Sequence, residues 1–146
     1  MIRLKAAFFC DDIRHELGNK LSAVGIYNEA MLFPKGTGPV GVPKLGALFV
    51  VCGLKGIADI KAQQSVSFGD KTNALPEMTV HRTDVTPDEQ NFIFQQVPAV
   101  FSSEGVFVAR LQVTVEGEPT HTFECKLEIR RGPTATQPAP IAGSTN

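Results

Sequence analysis

The sequence of 146 residues contains no tryptophan, one tyrosine and three cysteines. The cysteines, Cys10, Cys52 and Cys125, are widely spaced and each lies inside an apolar run. An odd number of cysteines at such spacing matches neither a disulfide framework nor paired zinc ligands. We therefore expect three buried free thiols, which suit the reducing environment of a cytoplasm.

An excess of charge of either sign is also missing. The chain carries 14 basic and 15 acidic residues, which gives a formal net charge of -1. Proteins that bind nucleic-acid phosphates or anionic membrane surfaces usually present a basic field to them. We therefore predict no nucleic-acid partner and no membrane partner.

Long hydrophobic runs are absent as well. The apolar run near the amino terminus, Ala6 to Cys10, is ended by Asp11 and Asp12. A signal peptide needs a longer apolar stretch with a small-residue cleavage site, and a membrane-spanning helix needs about 20 apolar residues. The sequence therefore predicts a soluble protein in the cytoplasm.

The length of the chain fits one domain followed by a tail. A domain of this size buries roughly 68–70% of its unfolded surface, so a hydrophobic core can hold it without a metal or a disulfide. After Arg131 the sequence GPTATQPAPIAGSTN has only one aliphatic side chain larger than alanine, which is too little to repay the entropy of ordering. We predict a single domain over residues 1–131 and a disordered tail over 132–146.

The clearest pattern lies near the carboxyl end. Apolar and polar residues alternate from Phe107 to Val115 and again from His121 to Ile129, which predicts two half-buried strands of a hairpin. The apolar faces of both strands meet only if the loop has an odd number of residues. A three-residue loop, Gly117 to Pro119, would pair Val115 with His121.

Further strands are predicted upstream. Arg3 to Cys10 and Leu21 to Tyr27 are predicted to be the two strands of a hairpin, with Gly18-Asn19 in the turn, because both residues tolerate the positive φ of a tight turn. Leu45 to Leu54 is apolar on both faces and is typical of a central strand. Ile60 to Phe68 alternates and predicts a fifth strand, whereas Thr79 to Arg82 is too short to assign.

One segment is compatible with two structures. Thr86-Pro87-Asp88-Glu89 has the pattern of a helix start, but Pro98 limits any helix to about two turns, and Phe92 to Phe94 would equally suit a strand. With seven or eight short strands and turn residues between them, we predict an all-β fold, a two-sheet antiparallel β-sandwich with at most one short helix. A small β-barrel is the alternative.

The glycines of Gly36-Thr37-Gly38-Pro39-Val40-Gly41 have the spacing of a dinucleotide-binding turn. That turn must open a helix, and the two prolines Pro39 and Pro43 prevent one. We therefore predict no cofactor, and we interpret Pro34 to Lys44 as a surface loop.

The acidic residues after the first strand are the candidate site. Paired carboxylates at a strand end can bind calcium or magnesium, which makes Asp11, Asp12 and Glu16 candidate metal ligands with His15 beside them. Adjacent residues of a strand point to opposite faces, so Asp11 and Asp12 share an ion only if the strand is interrupted. In the other interpretation, the aspartates end the strand and accept hydrogen bonds from nearby backbone amides.

The stretch FFCDDIRHELGNKLSAVGIY resembles the amino-terminal motif of a family of uncharacterised bacterial proteins, a domain of unknown function. The shared pattern is an acidic pair after cysteine or alanine, a Gly-Lys turn, a closing Gly-Ile-Tyr and a later Pro-Lys-Leu, here Pro43-Lys44-Leu45. This chain departs from it by placing Asn19 between Gly18 and Lys20. The resemblance implies a bacterial origin but transfers no catalytic residue, since the family carries no assigned reaction.

Three hypotheses for function follow. The favoured one is a non-enzymatic binding or protein-interaction module in which the loops Asp11 to Lys20 and Pro34 to Lys44 meet an unidentified protein partner, because no catalytic constellation is visible. The second is a metal-binding domain or metal-assisted enzyme that uses the acidic cluster. The third is a structural subunit that assembles through a sheet edge.

Overall fold

Two β-sheets pack face to face in the computed structural model of the protein, which describes residues 1–18, 20–36, 38–83 and 86–132, with the backbone alone for 95–97. These residues form ten strands: β1 (Arg3–Glu16), β2 (Lys20–Tyr27), β3 (Ala30–Pro34), β4 (Val40–Cys52), β5 (Asp59–Phe68), β6 (Lys71–Ala74), β7 (Met78–His81), β8 (Gln90–Phe101), β9 (Gly105–Thr114) and β10 (His121–Gly132). The prediction of an all-β sandwich is confirmed, and the barrel alternative is wrong because neither sheet closes on itself.

The first sheet has the strand order β2-β1-β4-β8, and the second has the order β3-β10-β9-β5-β6, with β7 also paired to β5. Neighbouring strands are antiparallel except β3, which runs parallel to β10. Between the sheets lies one apolar core, whose largest fully buried side chains include Phe49, Ile60, Leu111 and Leu127. The predicted central strand is confirmed, since β4 lies between β1 and β8.

The first hairpin is longer than its sequence suggests. The predicted strand from Arg3 to Cys10 continues to Glu16 and pairs with β2 without a register shift. The interpretation that Asp11 and Asp12 end the strand is therefore wrong: beyond Cys10, β1 no longer pairs with β4 but continues to pair with β2. Gly18, at φ 78°, lies in the connecting turn, while Asn19 is outside the described residues.

This hairpin bends back over the first sheet. Lys5 forms an ion pair with Glu89, and His15 lines a cavity together with the same Glu89 and Ile93. Ten residues of straight strand would separate Lys5 from His15 by about 33 Å, so β1 must curve between them. The bend explains why Cys10, on the outer side of the sheet, is fully buried.

The second predicted hairpin is present with a different register. His121 pairs with Val113 and not with Val115, which is a shift of two residues. The number of residues in the loop is still odd, as predicted, so the apolar faces of the two strands still meet. The turn is made by the backbone bond from Glu118 N to Val115 O, at 3.1 Å, which withdraws Val115 from the strand. The predicted three-residue loop is therefore wrong, because this turn uses the residues expected to pair.

The predicted loop from Pro34 to Lys44 is wrong at both ends. Its first residue closes β3, and β4 begins at Val40. The pairing of β4 with β8 shifts register between Val42 and Leu45, the place where Pro43 cannot donate a backbone hydrogen bond. Proline is thus accommodated in a strand by an irregularity next to it.

The suggested short helix is also wrong, since residues 90–101 form β8. Phe92 and Phe94 alternate into the core, at 3% and 5% exposure. Asp88 caps no helix: its carboxylate accepts hydrogen bonds from the backbone amides of Gly53, at 3.1 Å, and Lys55, at 2.9 Å. The segment before β8 is therefore fastened to the end of β4.

The predicted domain boundary falls at the last described strand. Gly132, which was assigned to the tail, is the final residue of β10, and residues 133–146 of the predicted tail lie outside the described residues. No helix of the described part of the chain is long and apolar enough to cross a membrane.

Candidate functional site

A groove opens where the first sheet loses one of its strands. The pairing of β1 with β4 stops at Cys10 and Gly46, whereas the pairing of β4 with β8 continues to Val40 and Phe101. Among the described strands, the start of β4 therefore has a partner on its β8 side only. On the other side, β3 of the second sheet borders the same opening, which has a volume of about 800 Å³.

The groove joins segments that are distant in sequence. Its walls are formed by Asp11, Asp12, Tyr27, residues 30–33 and residues 41–44. The acidic pair and the segment that we had predicted to be a second loop thus meet at one place. The remaining wall is β3, which the sequence did not reveal.

Asp11 lies on the groove side of the hairpin bend. The hydroxyl of Tyr27 donates a hydrogen bond of 2.5 Å to Oδ1 of Asp11. Burial, and after it this hydrogen bond, raises the pKa of Tyr27 to about 12. Asp11 itself is exposed and forms no ion pair with another described residue, so its negative charge is available to a bound partner.

The other candidate ligands bond to other residues. Asp12, which also lines the groove, accepts a hydrogen bond of 2.6 Å from Nε of Arg14. Glu16 accepts a hydrogen bond from the hydroxyl of Ser22, and His15 lines the separate cavity beside Ile93. Within the described residues, no three His, Cys, Asp or Glu side chains come together in a group that could hold a metal ion.

The wall formed by β3 is apolar, and from Ala30 to Phe33 its outer edge has no strand partner among the described residues. β3 ends the second sheet and pairs only with β10 among the described strands. Met31 packs into the core, while the neighbouring side chain of Leu32 is 67% exposed. A free strand edge carries backbone donors and acceptors without partners, so it can pair with another extended chain.

The sequence contained a weak signal for this wall. Ala30 to Phe33 is an apolar run bounded by Pro34, which is consistent with a short strand. Nothing in that run specifies its partner, because β3 pairs in parallel with β10 at the far end of the chain. The groove could therefore not be derived from local sequence.

No family model matches the chain, and no curated protein matches it. The resemblance of its amino-terminal motif to a bacterial family stays a prediction, and the function must be argued from the geometry of the groove.

Proposed function

We propose that this protein is a non-enzymatic binding module that holds an extended segment of a partner protein in the groove between β3 and the start of β4. One observation carries the proposal: two strand edges border the same groove, and neither has a described strand partner on that side. An extended peptide added to a free edge gains main-chain hydrogen bonds that do not depend on its sequence.

Side chains around the edge supply selectivity. The exposed Leu32 offers an apolar contact beside the edge of β3. The Asp11 carboxylate offers a charge-assisted hydrogen bond to a basic side chain, because Tyr27 occupies only one of its acceptor positions. The segment that fits best is therefore extended, with an apolar residue and a lysine or arginine near it.

The setting proposed for the module is a bacterial cytoplasm. All three cysteines are free and buried, which fits a reducing compartment. The bacterial origin rests on the motif around Asp11 and Asp12.

A displayed peptide library tests the function. Random peptides on phage are selected on the wild-type protein, and the binding of each recovered peptide is measured by fluorescence polarisation. We expect Leu32→Glu to weaken binding by about tenfold or more, since a charge at the edge opposes apolar contact. Leu17→Glu is the matched control, because Leu17 is also exposed, at 97%, but lies at the hairpin turn.

Amide chemical shifts locate the bound peptide. We expect the largest changes at residues 30–33 and 41–44. The proposal fails if the selected peptides bind Leu32→Glu as tightly as wild type, or if the shifts lie away from the groove. Sedimentation of the free protein distinguishes the remaining alternative: a dimer that Leu32→Glu dissociates would mean that a second copy occupies the edge.

A further inference from the structure

A second cavity lies inside the sandwich and shares no lining residue with the groove. It has a volume of about 340 Å³ and lies between the sheets on the side where β8 faces β6 and β7. The cavity is lined by the aromatic rings of Phe9, Phe94 and Phe107 and by Gly46 and Ala47, which have little or no side chain. The volume falls within the range of about 300–1,000 Å³ that is usual for small-molecule sites.

The opening results from an interrupted edge strand. β6 and β7 lie end to end along β5, and between them Leu75, Pro76 and Glu77 face only two residues of β5, Gln63 and Gln64. Local bonds hold this bulge in place. The backbone amide of Leu75 donates to Gln64 O at 2.8 Å, and Nε2 of Gln63 donates to Leu75 O at 3.4 Å.

Two apolar side chains mark the mouth. Leu75 and Met78 are 45% and 40% exposed although both line the cavity. Each therefore contacts solvent and the interior at once. Methionine is flexible and adapts its shape to what it contacts, which suits a residue at an entrance.

Inside, one of the described lining side chains is both polar and buried. Gln64 is on the inward face of β5 after Ile60 and Ala62, is 2% exposed and lines the cavity. No hydrogen bond connects its side-chain amide to another residue among those that the structure describes. Burying an amide without a hydrogen bond costs free energy, so an unpartnered amide in a cavity indicates a position where a ligand supplies the bond.

The lining also limits the charge of the ligand. None of the described residues around the cavity carries an ionisable side chain, and Asn73 at the mouth is the other amide. A carboxylate or an ammonium group would lose its hydration there without gaining a counter-charge. The bound molecule must therefore be uncharged.

We infer that this cavity binds a small neutral molecule whose apolar body lies among the phenylalanine and leucine side chains and whose single hydroxyl, carbonyl or amide group bonds to the side chain of Gln64. The amide of glutamine both donates and accepts hydrogen bonds, so any of these groups can pair with it. This inference does not depend on the peptide-binding groove.

The probe for the test is hexan-1-ol, with hexanoate at neutral pH as its charged counterpart. Binding is followed by the NMR shifts of the methyl groups of Leu75 and Met78 at the mouth. We expect hexan-1-ol to bind the wild-type protein and hexanoate to bind at least about tenfold more weakly. Absence of hexan-1-ol binding, or equal binding of hexanoate, would overturn the inference.

Variants separate the polar contact from the space. Gln64→Leu keeps the side-chain volume and removes the amide, and we expect it to weaken hexan-1-ol binding about fivefold. Ala47→Leu fills the cavity and should abolish binding, while Ala58→Leu, at an exposed position, should leave it unchanged. Wild-type affinity in Gln64→Leu would contradict the assignment.

The stability of the unliganded variant provides an independent readout. Because the amide has no described partner, Gln64→Leu should melt at or above the wild-type temperature. A lower melting temperature of Gln64→Leu would mean that the amide stabilises the fold, and the inference would then fail. This readout does not need Ala47→Leu, so it remains usable if that variant does not fold.

Discussion

The carboxylate of Asp11 fills the space beside the backbone of Gly25. A Cβ atom added to Gly25 would lie 2.2 Å from Oδ2 of Asp11, and Gly25 has a φ of 66° in the middle of β2. The two residues lie opposite each other in the hairpin, between the pairs Cys10–Ile26 and Asp12–Val24. Glycine is therefore required here both for its backbone angle and for its missing side chain, and this allows Asp11 to reach Tyr27 at the groove.

The substitution Gly25→Ala should destabilise the protein. Positive φ alone costs a non-glycine residue about 1–3 kcal/mol, and displacement of the Asp11 side chain adds to it. Gly18→Ala is the matched control: Gly18 has a φ of 78°, but nothing lies within 4 Å of its added Cβ. We expect urea denaturation to show a larger loss of unfolding free energy for Gly25→Ala.

Adding Asp11→Ala to each glycine variant completes this comparison. The combination with Gly25→Ala should recover part of the lost stability, because the crowded carboxylate is gone, whereas the combination with Gly18→Ala should not. Equal losses for the two glycine variants would show that Asp11 moves aside freely.

The single tyrosine reports on the groove by its titration. Burial and the bond to Asp11 raise the pKa of Tyr27 from 10 to about 12, and no tryptophan interferes with the absorbance of its phenolate. Asp11→Asn should lower this pKa, but not back to 10, because burial is the larger cause. Spectrophotometric titration of both proteins measures the difference.

The same shift predicts how stability depends on alkaline pH. The folded state holds its phenolic proton more tightly than the unfolded state, so the contribution of Tyr27 is complete below pH 10 and is lost as the pH rises through about 12. Tyr27→Phe should flatten the pH dependence of unfolding in that window. An unchanged slope would mean that Tyr27 titrates alike in both states.

The hairpin of β9 and β10 shows which part of a sheet the sequence can specify. Alternation determined the two strands and the faces that they bury, as the core positions Leu111 and Leu127 confirm. It could not determine the register, because a shift of two residues leaves every side chain on the same face. The register goes with the turn, in which the backbone amide of Glu118 donates a hydrogen bond to the carbonyl of Val115.

The groove shows a different limit. Asp11 and Asp12 were identified from the sequence as a candidate metal site, and both line the groove, but they lie in an uninterrupted strand and no metal-binding group forms around them among the described residues. β3 was missed because a five-residue strand is stabilised by its neighbour β10 rather than by its own pattern. Long-range pairing, which local sequence does not encode, assembled the site.

Buried thiols should resist modification in the folded protein. Burial raises the pKa of Cys125 to about 11, and burial followed by the nearby charges of Asp11 and Asp12 raises the pKa of Cys10. Because the thiolate is the reactive form, we expect iodoacetamide to label both positions slowly until the protein unfolds. Mass spectrometry of the peptides gives the rate for each cysteine, and rapid labelling of native Cys125 would contradict its burial.

The carboxylate of Asp88 should make stability sensitive to acid. Hydrogen bonds from the amides of Gly53 and Lys55 hold its pKa below the usual 3.8, so this contribution is present above 3.8 and is lost as the pH falls through the lowered pKa. Asp88→Asn should lower the melting temperature at neutral pH and weaken its dependence on acid. Asp70→Asn, at an exposed turn position, is the control that should change neither.

The buried side chain of Arg82 also links the end of β4 to the segment before β8. It is 7% exposed, and its two terminal nitrogens donate to the backbone carbonyls of Leu54 and Pro87. The carbonyl of Leu54 also accepts a bond of 3.2 Å from the amide of Ile57, so removal of the guanidinium costs the two charged hydrogen bonds themselves, each worth about 1.5–3 kcal/mol. We therefore expect Arg82→Met to lower the free energy of unfolding by at least that amount in urea denaturation.

Arg82→Lys separates the effect of charge from that of geometry. Lysine keeps the positive charge, but its single ammonium group cannot span both carbonyls as the planar guanidinium does. Its stability should therefore lie between those of wild type and Arg82→Met. If Arg82→Lys has the same free energy of unfolding as wild type, one hydrogen bond is enough to hold the segment before β8. If Arg82→Met has the wild-type free energy of unfolding, Asp88 holds this segment instead.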